Sequence, residues 1–214
     1  MSRNIVITIG REVGSGGREI ARKVATLLNI NYYDKNILDI VAEKSGMHKA
    51  VLHKADEKAA NPFLSSYMVQ PGEYGTINDR LFWTQSAVIK DLASKESFVI
   101  VGRCANYVLS DMDRCLRIFI YADDEDRISR IKDRYMLDSA DIARKEIKQT
   151  DKQRRSYYQY YTDLKWGTSE GMNMLISSSY FGINKTAEMI ADIVKTRWPD
   201  YAQKEDDKSA ENHD

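Results

Sequence analysis

Two stretches of this 214-residue sequence carry the residue types and spacing to handle phosphate. In the first, Gly10, Gly14, Gly16 and Gly17 crowd a short turn together with Ser15 and Arg18. Glycine lets backbone N–H groups converge on an anion, and a helix starting at such a turn aims its positive dipole end at the same point. Gly14, Ser15, Gly16, Gly17 and Arg18 are therefore the candidate phosphate-binding residues, the rival reading being a turn kept small for steric reasons alone. In the second, Asp151, Arg154, Arg155 and Tyr158 stand at i, i+3, i+4 and i+7, on one face of a helix. That face reads either as guanidinium groups offered to an anion or as a plain surface ion pair of Asp151 with Arg155, worth about 0.5 kcal/mol. A further arginine, Arg103, follows an apolar run, where the C-terminal edge of a parallel strand faces the ligand crevice of an open α/β sheet. Its alternative is a structural arginine paired with a carboxylate.

The elements that must position these groups follow from periodicity and punctuation. Asn4 to Ile9 is rich in β-branched residues and reads as a buried strand, and Ile20, Val24, Leu27 and Leu28 then repeat at helical spacing. Asn31 to Lys35 is a short strand end that delivers Asp34, either to a ligand site or as N-cap of the helix that begins near Asn36. From Ile37 to Leu92 the pattern is helical, with a first turn set ended at Gly46, a break from Asn61-Pro62 to Gly75, and a helix from Ile77 to Ala93. Ser97 to Val101 is a buried strand that delivers Gly102-Arg103-Cys104, and Cys115 to Tyr121 is the next, with Asp123 placed to cap a helix over Glu125 to Met136. In that helix only Ile128, Ile131 and Tyr135 face the core, so its arginines read as a solvated face. Met172 to Ile176 is the last strand, and the closing helix runs from Asn184 to Trp198, ended by Pro199. The order predicts about five parallel strands with helices on both faces.

The segment GREVGSGGREIA resembles the phosphate loop of the cytidylate-kinase-like family of P-loop nucleoside monophosphate kinases. The YYD at Tyr32 to Asp34, the VIVGR ending in Arg103 and the DKQRRSYYQYYTDLKW segment with its Asp-x-x-Arg extend that resemblance over nearly the whole chain. Three departures stand out in the loop: Arg11 occupies the place of the first glycine, Gly17 that of the lysine and Arg18 that of Ser/Thr. Cys104 stands where better-known cytidylate kinases have aspartate. The resemblance implies a three-layer P-loop kinase domain over 1–200, with a helical acceptor-binding insert at about 36–95 and a lid at about 134–168; the tail at 201–214, with no large apolar residue from Lys204 onward, is expected to be disordered. It implies transfer of the γ-phosphoryl of ATP to CMP or a similar nucleotide, with Mg2+ alongside. Arg18, Arg103, Arg154 and Arg155 would be catalytic, since charge spreading over the transferred group's oxygens asks for position and positive charge rather than a nucleophile. Arg18 would take over from the missing lysine, and Asp34 and Arg80 would meet the acceptor, a solvated Arg80 being the alternative. No residue is assigned as a metal ligand, although Glu12 and Glu19 could act through water.

Composition narrows the classes. Lys plus Arg and Asp plus Glu are 32 each, so no overall attraction to DNA, RNA or an acidic membrane is implied. Cys104 and Cys115 make neither a disulfide framework nor a zinc set, and His48 and His53 lack metal-spaced partners. No apolar run approaches the ~20 residues of a membrane span and no signal peptide opens the chain, so a cytoplasmic protein with small-molecule nucleotide partners is expected. Oligomeric state is not readable. Two rivals are carried. One is a nucleotide-sensing protein of the same fold that lost turnover with the lysine. The other is a short-chain dehydrogenase, for which Tyr161-x-x-x-Lys165 would be the catalytic pair.

Overall fold

A computed structural model describes residues 3–45 and 77–201 of the chain. His48, His53, the Gly46 stop, the break at 61–75 and the tail from 202 lie outside them.

Strand β1 (Val6–Arg11) leads through the glycine turn into α1 (Gly17–Leu27), followed by β2 (Asn31–Tyr33) and α2 (Ile37–Ser45). Next come α3 (Ile77–Lys95), β3 (Phe98–Val101), the short α4 (Ala105–Val108), β4 (Cys115–Tyr121), α5 (Asp124–Tyr135) and α6 (Ala140–Thr162). The described part closes with β5 (Met174–Ser177), the single turn α7 (Ser178–Phe181) and α8 (Ile183–Arg197). All strands pair in parallel in the order β2-β3-β1-β4-β5, so the first strand is the central one. The fold is the three-layer P-loop kinase arrangement.

Alternation along β1 sends its residues to two different cores. Ile5, Ile7 and Ile9 are fully buried against Ile20 and Val24 of α1 and against Ala187, Ile190 and Val194 of α8. Val6 faces the other layer, where Ile37 and Val41 of α2, Leu81, Phe82 and Ile89 of α3 and Tyr158 of α6 pack. Each such aliphatic contributes about 1.5–3 kcal/mol relative to an exposed position, and together they fix the sheet plane from which the β1 and β3 ends project. A third, smaller cluster joins Val13 of the turn to Ile131, Ala143 and Ile147, tying α5 and α6 to the glycine loop.

Several local expectations change. The α5 face is not simply solvated: Arg127 is buried, while Tyr135 is largely exposed. Asp123 is the N-cap of α5, yet its side chain makes no capping bond, whereas Ser139 caps α6 by accepting from Asp141 N–H at 3.2 Å. The dehydrogenase alternative falls with the fold. Tyr161 stacks on Phe82 and donates to Asp79 at 3.0 Å, and Lys165 lies beyond the end of α6.

Candidate functional site

The glycine loop is held from outside by its carbonyls. Arg154 Nη1 donates to Arg11 O at 3.1 Å, Arg130 Nη1 to Gly14 O at 3.1 Å and Ser178 Oγ to Ser15 O at 2.6 Å. Arg127 Nε donates to Val13 O at 2.8 Å, while Asp151 Oδ1 accepts the Val13 N–H at 2.9 Å. With the carbonyls fixed in this way, Gly14 and Gly16 adopt φ of 77° and 75°, and α1 starts at Gly17, whose N–H goes to Ser15 Oγ at 3.4 Å while the Glu19 N–H goes to Gly16 O at 2.9 Å. The result is a nest of N–H groups at a positive dipole end.

A Cβ at Gly14 would stand 2.6 Å from the backbone oxygen of Arg127, and the positive φ adds strain. Gly14→Ala is therefore expected to cost at least about 1–3 kcal/mol, read as a lowered midpoint in thermal denaturation; an unchanged midpoint would show that the α5 backbone is not packed on the loop. A Cβ at Gly16 would collide with the tip of Ile183 at the start of α8, and the positive φ adds strain there too.

Asp151 and Arg127 form the clamp behind this nest. Their side chains are 9% and 8% exposed and joined through Arg127 Nη2, with Asp124 at 3.2 Å and Glu12 at 3.5 Å completing the set around Arg127 Nη1. Arg154 Nη1 lies 3.7 Å from Asp151 Oδ1. Burial lowers the Arg154 pKa, and Asp151 partly restores it. The clamp replaces the expected Asp151–Arg155 surface pair. Arg155 is exposed and lies over the Trp166 ring, 5.7 Å from its centroid.

Two cavities meet at this point. The larger, about 360 Å³, is lined by Asp34, Lys35, Arg103 and a ring wall of Phe119, Tyr157 and Trp166. The smaller, about 260 Å³, opens over Gly14, Gly16 and Gly17 with Arg130 and Arg134. Arg11, Arg18 and Arg154 line both, together with Tyr135, Glu146 and Thr150, so three guanidinium-bearing residues and one carboxylate stand between the cavities. Arg18 is engaged there, its Nε lying 2.6 Å from Asp34 Oδ2. Hence Asp34 does not cap α2; the Asp34 N–H is instead taken by Asn36 Oδ1 at 2.7 Å. Arg103 follows Gly102 with φ 60°, a left-handed residue at the cavity mouth, and Cys104 beside it is buried, its thiol pushed up to about 12 by burial.

The structure thus brings Gly14 to Arg18, Asp34, Arg103 and Arg154 together and leaves Arg155 and Arg80 lining neither cavity; Arg80 is exposed on α3. Sequence reasoning passed over Arg11, Arg127 and Arg130. Arg11 was visible as the residue in the first-glycine position of the loop, whereas the one local partner of Arg127 is the exposed Asp124 and the partners that draw it inside lie 114 and 24 residues away.

The described residues do not assemble a protein cage for magnesium. No group of three or more acidic, histidine or cysteine side chains converges among them. Glu12 Oε2 accepts from Ala122 N–H at 3.2 Å and faces Arg127, and burial raises its pKa despite both partners. Glu19 pairs with Lys23 at 3.8 Å. No helix among the described residues is long and apolar enough to cross a membrane.

A central parallel strand, a glycine nest at the following helix and an arginine-lined crevice beside it define the P-loop kinase class. The chain belongs to the cytidylate kinase-like family, whose sequence model matches residues 6–180. Among solved structures it is similar to an uncharacterized protein from Eubacterium ventriosum ATCC 27560, at 29% identity and a TM-score of 0.69, covering 90% of this chain and 99% of that one. It also shares its fold with a shikimate kinase from Bacteroides thetaiotaomicron, at 11% identity and a TM-score of 0.52, covering 89% and 98%. Among curated proteins none matches. Family and fold together support a nucleotide-kinase-like phosphotransferase.

Proposed function

We propose that this protein moves the γ-phosphoryl group of ATP to a small phosphate-bearing acceptor, CMP or a similar nucleotide. The observation that carries the reading is that Arg11, Arg18 and Arg154 line both cavities, three cations against the single carboxylate of Glu146 that they share the boundary with. A phosphotransferase needs two anionic substrates side by side with positive charge between them. ATP would lay its phosphates in the nest at Gly14 to Arg18, and the acceptor would occupy the larger cavity, its base against Phe119, Tyr157 and Trp166 and its phosphate toward Arg103. An acceptor phosphate oxygen forms the new P–O bond as the bond from Pγ to the β–γ bridging oxygen breaks, and that electron pair leaves with ADP. A phosphate dianion already carries its nucleophilic electron pair, so the transfer asks for no side-chain base. Arg154, reaching over the partition from α6, would offset charge on the transferring group. Magnesium would enter with the triphosphate as its counter-ion. The reading takes 1–200 as a single kinase domain with an insert at about 36–95 and a lid at about 134–168, working on small molecules in the cytoplasm.

The test is ADP release from ATP and magnesium in the presence of CMP, dCMP, UMP or AMP in turn. Acceptor-dependent ADP formation well above ATP hydrolysis alone is the expected result. A rate indifferent to every monophosphate would remove the transfer reading. The second reading, a nucleotide sensor, is favoured by one observation: Arg18 is already paired with Asp34 in the absence of the loop lysine. It is distinguished by ATP binding without acceptor-dependent turnover.

A further inference from the structure

Arg11 is placed by two glycines. A Cβ at Gly17 would stand 2.6 Å from Arg11 Cβ, and a Cβ at Gly102 would fall on Arg11 Nη1, so the side chain threads from β1 through a gap that only these two residues leave. It emerges in the partition shared by the two cavities. Its Nε, like that of Arg18, is buried and makes no hydrogen bond among the described residues, but Arg18 has the Asp34 carboxylate at 2.6 Å as a counter-charge. Burial and the neighbouring guanidinium groups of Arg154, Arg18 and Arg103 push its pKa well down, and Asp34 offsets them only in part. Asp34 is itself in contact with Arg18. A half-buried cation crowded by like charges is costly to the folded protein unless an anion arrives to complete it.

We infer that Arg11 is the phosphoryl-binding residue of this chain, receiving the polyphosphate where it crosses the partition, while Arg18 is held by Asp34. This rests on the phosphotransferase reading for the identity of the anion and deepens it by naming the residue that stands in for the loop lysine. The planar fork supplies bidentate contacts that a lysine lacks.

The experiment measures binding of inorganic tripolyphosphate and of ATP to the full chain by calorimetry, with thermal midpoints of the unliganded proteins alongside. Arg11→Met keeps length and volume while removing the charge. It should weaken both ligands at least tenfold and leave the unliganded midpoint unchanged or raised by about 2–4 °C, because a half-buried charge crowded by other guanidinium groups is gone. Arg18→Met should weaken them less, and Arg11→Lys should retain part of the affinity. A residue with a merely structural role would lower the midpoint instead. The proposal is overturned by parent-like affinity in Arg11→Met, by failure of that variant to fold, or by a parent protein that binds neither ligand. Absence of phosphoryl transfer with binding intact would defeat the phosphotransferase reading and leave the Arg11 assignment standing.

Discussion

Asp151→Ala is expected to lower the unfolding free energy by about 3–5 kcal/mol, a large share of the roughly 5–15 kcal/mol that a folded domain commands. The carboxylate of Asp151 is buried on α6, where it accepts the Val13 N–H and faces the guanidinium groups of Arg127 and Arg154. Removing it leaves Arg127, itself buried, without its main counter-charge, and leaves one loop amide without its acceptor. The cost comes from the uncompensated charge rather than from the pair's intrinsic worth. Replacing both partners with apolar residues, as in Asp151→Leu with Arg127→Met, should therefore recover much of the loss. Urea denaturation of the single and double variants is the measurement. A single-variant loss below about 1 kcal/mol would place this pair among solvent-screened surface bridges.

Arg154→Ala is expected to reduce kcat by about 10²–10³-fold, the scale seen when one preorganised donor to developing charge is removed. ATP affinity should move much less, since the charge that Arg154 offsets grows on the way to the transition state. The geometry supports this division. Arg154 uses one donor on Arg11 O and is positioned by Asp151, which leaves further N–H groups of its fork to serve both cavities. Arg154→Lys should recover only part of the rate because the fork is lost. A kcat equal to the parent's would make Arg154 a brace for the loop and nothing more, and a proportionate rise in KM with unchanged kcat would assign it to ground-state binding.

Much of this was legible in the residues because it is local. The β-branched run at Asn4 to Ile9 and the CLRIFIY run gave strands within two residues of those observed, and the Gly16-Gly17 turn marked the start of α1. Arg154 was singled out by the resemblance of its Asp-x-x-Arg segment, since helical spacing alone put Arg154 and Arg155 on the same face. What was not legible depends on distant partners. The arginines of α5 read as a solvated face because only three apolar residues accompany them, yet Arg127 is drawn inside by Val13 O and by a carboxylate on the next helix. Arg18 read as free to replace the missing lysine, and only the approach of β2 to α1 shows Asp34 engaging it. Arg155 and Arg154 are adjacent in sequence, but about 100° of helical rotation sends one to the cavities and the other to the Trp166 ring.

The central position of β1 has a consequence for how the chain is made. Val6 pairs with Phe98 on one side and Cys115 on the other, so β1 waits for partners synthesised about 90–110 residues later. At about 5–20 residues per second, that interval is roughly 5–20 s, during which α1 is the nearest helix of the same cluster available to Ile5, Ile7 and Ile9. The amphipathic α1, with Ile20, Ala21 and Val24 turned toward those isoleucines, thus serves the nascent chain as a temporary cover before it becomes one layer of the finished kinase.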